Sequence, residues 1–170
     1  MADSIDHFFA RWRAQAIPGI DIREDVHYLY RMVRICKLLS QRVEACCTRH
    51  GLTPSQYEAL SALLRHSPTP LSAQDLMAAS MLTSGSVTAM ISQLVSSGLV
   101  ERTQCPKDRR RIEVRITAEG TRVVKAAIFD RLTDNELLSR LLEGSDQKQA
   151  DRLMRKLLAS LEGTGEALAA

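Results

Sequence analysis

Apolar positions recur at steps of three and four along most of the chain and switch to steps of two only between about residues 99 and 116. Residues 4–16 place Ile5, Phe8, Phe9 and Trp12 on one helical face, and Ile17-Pro18-Gly19 should break that helix. A long helix is predicted over about 24–49 from Val26, Leu29, Val33, Cys36, Leu39, Val43 and Cys46, with Gly51 placed for a left-handed C-cap. Three marked helix starts follow. Thr53 precedes Pro54 and Gln56, with Leu52 and Tyr57 as a hydrophobic staple; Ser72 precedes Asp75, with Leu71 and Leu76; Thr83 has Leu82 and Val87. They predict helices over about 53–66, 72–79 and 83–97, the last ended by Gly98. Leu99–Gln104 then reads as a strand, and Ile112, Val114 and Ile116 alternate with Arg111, Glu113 and Arg115 as a half-buried second one. Thr117 caps a predicted helix over about 118–142, and Gly144-Ser145 separates it from a last helix over about 146–161.

The order from 53 to 117 is helix, helix, helix, hairpin, and only about three residues join the second helix to the third. That is a winged helix-turn-helix, whose last helix can enter a major groove. The predicted class is mainly α with a small β-hairpin, as one domain over 1–170. A reader lobe, 53–117, stands between long apolar helices in 4–49 and 118–161. Thr83, Ser84, Gly85, Ser86 and Thr88 are small and polar at the start of the reading helix, where free backbone N–H groups and the helix dipole favour phosphate. Their hydroxyls can also donate to base edges, and Gln93 lies on the outer side. The same residues would equally serve as a plain helix cap. At the hairpin tip Lys107, Arg109, Arg110 and Arg111 face one anion, Asp108, and Arg115 lies nearby. A thin arginine-tipped hairpin suits the negative potential of a minor groove, and Asp108 can hold one arginine extended through a charge-assisted pair.

Composition narrows the alternatives. Aromatic residues are 4%, too few for the stacking platforms of single-strand binders. The net charge of +3 is mild, so the position of the cations carries the argument. No apolar run of about 18 residues predicts a membrane helix, and the acidic start MADSIDHFF does not read as a secretory signal. Cys36, Cys46, Cys47 and Cys105 form no C-x-x-C, which suits reduced thiols in a cytosol. His7, His27, His50 and His66 lack metal-ligand spacing, so no metal or other cofactor is expected. No phosphate-binding glycine loop or nucleophile motif points to an enzyme.

The stretch LTSGSVTAMISQLVSSGLVERTQCPKDRRRIEVRITAEG resembles the recognition helix and wing of the MarR (multiple antibiotic resistance regulator) family, and GLTPSQYEALSALL the helix before them. Asp108-Arg109-Arg110 followed by Ile116-Thr117 and Gly120 matches that family's D-x-R wing and L-T-x-x-G continuation, with isoleucine for the usual leucine. The resemblance covers about residues 25–161. It implies Arg110 as the minor-groove arginine and Asp108 as its partner. It also implies a homodimer built from the terminal helices and a pseudo-palindromic double-stranded DNA operator, with half-sites about one turn apart. Repression is the family default. Trp12 and the ending QADRLMRKLLASLE resemble the EmrR branch and the longer PecS-like members, which implies release from DNA by a small aromatic, often anionic, effector. Candidate pocket residues are then Trp12, His27, Tyr28, Arg31, Arg34, Tyr57 and Arg65. Read as residues alone, the aromatics fit a core and the arginines a surface. Glu58, with Leu64 or Arg65, departs from the pair used by urate-responsive members. A thiol-based redox sensor is the alternative, with Cys36 as its candidate, but a mid-helix apolar position predicts a buried, inert thiol. A winged-helix module for protein partners is the other alternative, and the arginine-tipped wing argues against it.

Overall fold

The computed structural model describes residues 2–15, 24–80, 87–105 and 108–164, with the backbone alone at 24, 105, 108–111 and 164. Helix α1, Ser4–Gln15, starts on a reciprocal cap. The Asp3 carboxylate accepts from the amides of Ile5 and Asp6 (2.8 and 3.1 Å), and the Asp6 carboxylate accepts from the amide of Asp3 (2.9 Å). The buried face of α1 is aromatic: Phe9 stacks on His27 at 3.9 Å and meets Tyr30 edge-on, while Phe8 meets Trp12 edge-on. A 3-10 turn, Glu24–Val26, leads into α2, His27–Arg49. Gly51 adopts φ 69°, and the amides of Gly51 and Leu52 bond back to the carbonyls of Thr48 and Cys47, the double bond of a Schellman cap.

The core forms around α3, Pro54–His66. Thr53 and Gln56 make the expected capping box, and Ala59, Leu60, Ala62 and Leu63 are buried on its faces. Against them pack Leu76 of α4 (Ala73–Ala79), Val87, Ile91 and Leu94 of α5 (Val87–Ser96), and Val124 and Ala127 of α6 (Ala118–Ser139). Val100 of β2 (Val100–Cys105) and Val114 and Ile116 of β3 (Asp108–Ile116) close the cluster. Each buried leucine, isoleucine or valine among them contributes about 1.5–3 kcal/mol by leaving water, so the reader lobe and the start of α6 share one core.

The sheet has one strand more than the alternation predicts. Leu71–Ser72, read from sequence as a staple and a cap, forms β1 and pairs antiparallel with Val114 and Glu113, giving the order β1-β3-β2. Two residues carry no periodicity; only their long-range partner makes them a strand. The second hairpin strand also begins earlier than expected, at Asp108, because a bulge at Gln104/Cys105 sets Cys105 opposite Asp108. The last helix, α7, spans Ser145–Thr164.

Two long helices keep their apolar stripes uncovered. Leu29, Val33, Ile35, Leu38 and Leu39 of α2 are exposed, Val33 at 69%. Leu153, Met154, Leu158 and Leu161 of α7 are exposed as well. Cys36 corrects an expectation: its thiol is exposed on α2, not buried, because the stripe it shares has no cover within the chain. Cys46 and Cys47, nearer the end of the same helix, are fully buried.

Candidate nucleic-acid interface

Four elements position the reader. Ser72 accepts the amide of Asp75 (3.1 Å) while the Asp75 carboxylate takes the Ser72 hydroxyl (2.6 Å), which starts α4. At its far end the Arg65 guanidinium donates to the Ala79 carbonyl (3.0 Å), satisfying a last-turn acceptor. Helix α5 buries Val87, Met90, Ile91 and Leu94, so Thr88, Ser92 and Gln93 face outward. Gly98, at φ 70°, turns the chain into β2 with the same double-bonded cap seen after α2.

The wing joins α6 through a second set of bonds. Thr117 caps α6 by accepting the Gly120 amide (3.0 Å), and its hydroxyl lies 2.8 Å from the Gly98 carbonyl, to which it donates. The Thr117 amide donates to the Leu99 carbonyl (3.1 Å). A Cβ on Gly120 would stand 2.0 Å from the Leu99 carbonyl oxygen. Thus the Ile116-Thr117-x-x-Gly120 motif is the joint that presses the start of α6 onto the turn before the wing.

Of the sequence-named DNA-contact residues, Thr88 and Gln93 are exposed on α5, and the Gln93 side-chain carbonyl accepts from Gln56 (3.3 Å), which ties it to α3. Thr83, Ser84, Gly85, Ser86 and Lys107 lie outside the described residues. Asp108, Arg109, Arg110 and Arg111 form the first part of β3, described for the backbone alone. Two further outward residues stand beside them. Arg102 of β2 donates to the Ser92 hydroxyl (2.8 Å), bridging wing and reading helix. Arg102 and Thr88 line a groove of about 240 Å³ over Ile91, Ile112 and Val114. Nothing local in the sequence pairs Arg102 with Ser92, although both stand on outward positions of their elements.

The sequence-named effector residues occupy separate places in the single chain. Tyr28 and Arg31 line a groove of about 440 Å³ with Met32, Ile35, Leu153, Met154 and Leu157. Trp12 lines another on α1, with Phe8 and Arg11. His27 stacks on Phe9, and Arg34 is exposed on α2. Tyr57 belongs to the reader core with the Arg131 guanidinium 5.7 Å from its ring centre, and Arg65 holds the end of α4. Arg31 also pairs with Asp3 (2.7 Å) and with Asp6. The hydrogen bond from Arg31 is the largest cause holding the Asp3 carboxyl at about 2, below its ordinary 3.8.

A family model described as the MarR family matches residues 50–111. The transcriptional regulator HosA of Escherichia coli is 32% identical over 108 residues, which cover 63% of this chain and 78% of HosA. The HTH-type transcriptional repressor NicR of Pseudomonas putida is 27% identical, over 85% of this chain and 89% of NicR. Among solved structures, the S. aureus MepR–DNA complex shares the fold at a TM-score of 0.67 and 23% identity, covering 83% of this chain and 99% of that one. Proteins of this family are regulators rather than enzymes. A winged reader lobe, a matching family model and a relative of this extent together show that the chain belongs to the MarR family and is a DNA-binding transcriptional regulator.

Proposed function

We propose that this regulator is a homodimeric repressor that holds a pseudo-palindromic operator and releases it when a small aromatic anion binds. The observation that carries the dimer is the pair of uncovered apolar stripes on α2 and α7, which cost free energy in water unless a second copy covers them. The described reader lobe supports the DNA contacts: Thr88 and Gln93 face outward from a helix whose other side is core. The contact set is Thr83, Ser84, Gly85, Ser86, Thr88 and Gln93 in the major groove. Lys107, Asp108, Arg109, Arg110 and Arg111 serve the minor groove and phosphates, and we add Arg102, held beside the reading helix by Ser92. Repression follows the sense of NicR, named a repressor. In this reading the terminal helices are the dimerisation part and 53–117 the DNA-binding part of one domain.

For the effector, the groove between α2 and α7 has the size of a small-ligand site, an apolar lining, and one cation, Arg31. A ligand carboxylate there would compete with Asp3 and Asp6 for that guanidinium.

Gel shifts against the DNA flanking the protein's own gene test the regulator, with Arg110→Ala as the second arm. The intact chain gives a sequence-specific shift. Arg110→Ala weakens it, and the slope of log affinity against log salt falls by about 0.9 for each phosphate no longer neutralised, or about 1.8 in a dimer. Unchanged affinity and slope in the folded variant would remove Arg110 from the interface. Aromatic acids that raise the Tm and release the DNA by roughly 5–150-fold support the effector; a library that does neither removes it.

A further inference from the structure

A cysteine, a histidine and a carboxylate meet where the end of α2 crosses α6, and neither the DNA contacts nor the effector groove uses them. Cys46 and His50 are four residues apart, so they share one helical face. The His50 Nε2 lies 2.9 Å from Asp130 Oδ2, and the Cys46 sulfur lies 3.9 Å from the carbonyl of Ala127, one turn before Asp130. One donor atom from each of the three residues lies within 4.8 Å of the other two.

We propose that Cys46 Sγ, His50 Nε2 and the Asp130 carboxylate form a binding site for a divalent transition-metal ion of zinc's class. The donor set selects the ion. A thiolate and an imidazole disfavour magnesium and calcium, which take oxygen ligands, and suit zinc, which takes sulfur, nitrogen and oxygen together. Donors around a tetrahedral zinc ion sit roughly 3.3–3.7 Å apart, so the cluster must adjust by about 1 Å or so. The His50 and Asp130 side chains, 18% and 38% exposed, can supply that movement by rotating. The site also has a door and a floor. Cys46 is fully buried, whereas the His50 side chain is 18% exposed, so the ion enters from the imidazole and carboxylate side. Three protein donors leave the fourth position to water.

Charge and protons balance. Binding releases the Cys46 thiol proton to solvent and needs the neutral imidazole with its proton on Nδ1. One thiolate and one carboxylate then neutralise a divalent ion. Arg49, 3.7 Å from the same carboxylate, is half-exposed and can turn outward as the ion takes its place. Such an ion would pin the end of α2 to α6, four residues before α3 enters the reader lobe.

The test is a Co²⁺ titration of the full-length, thiol-reduced and chelator-treated protein, followed by Zn²⁺ competition. The site predicts a sulfur-to-cobalt charge-transfer band that saturates at one ion per chain and is abolished by Zn²⁺. Cys46→Ser removes the band, and Cys36→Ser keeps it. His50→Gln and Asp130→Asn weaken Co²⁺ binding by at least about 10-fold, since even outer-shell losses cost 10–100-fold. Zn²⁺ raises the Tm of the intact protein and leaves that of His50→Gln unmoved. Asp130→Asn keeps the size and shape of a half-exposed side chain, so affinity stays readable even where Cys46→Ser fails to fold. Absence of the band in the intact protein, a band that survives Cys46→Ser, or intact-protein affinity in both His50→Gln and Asp130→Asn would overturn the site and leave His50–Asp130 as a simple interhelix bond. None of these outcomes bears on DNA binding.

Discussion

At the scale of single residues, the wing joint makes the firmest demand. Gly120 has no room for a methyl group, because the nearest atom to its missing Cβ is a backbone oxygen, at 2.0 Å, and not the end of a flexible side chain. Relief would require α6 to back away from Leu99, breaking the bonds that Thr117 makes to the Gly98 and Leu99 carbonyls. Gly120→Ala should therefore cost about 1–3 kcal/mol or more in folding free energy, read as a lower midpoint in urea unfolding. An unchanged midpoint would mean that α6 can back away from the wing without penalty. This position was legible in the sequence as part of the L-T-x-x-G continuation, but its reason was not: the atom that forbids a side chain belongs to a residue 21 positions earlier, Leu99.

At the scale of elements, α1 carries an ion-pair tie to α2 that weakens at low pH. Its aromatic face packs on the start of α2, and its first turn is tied there by Arg31 to Asp3 and Asp6. The folded Asp3 carboxyl is held at about 2 against an ordinary 3.8, and the Asp6 carboxyl is lowered too, by the Asp3 amide first and by Arg31 next. Depressed carboxyl values mean that the stabilisation is fully present above about 3.8 and is lost as pH falls toward about 2. Trp12 is the sole tryptophan and meets Phe8, which packs beside Tyr30 of α2, so its fluorescence reports on the surroundings of α1. Its emission should stay constant down to about pH 4 and shift as the Arg31 pairing of α1 is lost below that. The same titration with Arg31→Gln should move the change to higher pH. A transition at the same pH in both proteins would detach it from the Arg31 pairing. The helix itself was plain from the spacing of Ile5, Phe8, Phe9 and Trp12; that Arg31 answers its capping carboxylates was not, because 28 residues separate Asp3 from Arg31.

At the scale of the whole molecule, the imbalance of apolar surface decides the assembly expected in solution. The reader lobe closes its core with the start of α6 and the end of α2, whereas α7 buries none of its described side chains and α2 buries only its last turns. Leu158→Glu tests the consequence. Leu158 is 57% exposed in one chain, so the change leaves the single fold's contacts nearly untouched while putting a charge into a face that needs cover. Sedimentation should give a dimer for the intact protein and about half that mass for the variant at equal concentration. A variant that remains fully dimeric would take this part of α7 out of the interface. Among the described residues no helix is long and apolar enough to cross a membrane, so a helical bilayer span does not compete for that face.

What the sequence determined by itself is whatever rests on neighbours a few positions apart. The capping boxes at Thr53 and Ser72, the cap at Thr117, the glycine ends at Gly51 and Gly98, and the change of period from helix to hairpin are all local. Each appeared where the residues predicted, within a few positions. Their order was enough to read a winged helix-turn-helix. Only the tertiary structure decided the rest. It made Leu71–Ser72 a strand through Val114, tied Arg102 to Ser92, dispersed Tyr57 and Arg65 from Tyr28 and Arg31, and brought His50 to Asp130. Capping and periodicity act over one or two turns, which a sequence displays directly. Pairings across 10 to 80 residues depend on how whole elements pack, and no short window of the chain contains both partners.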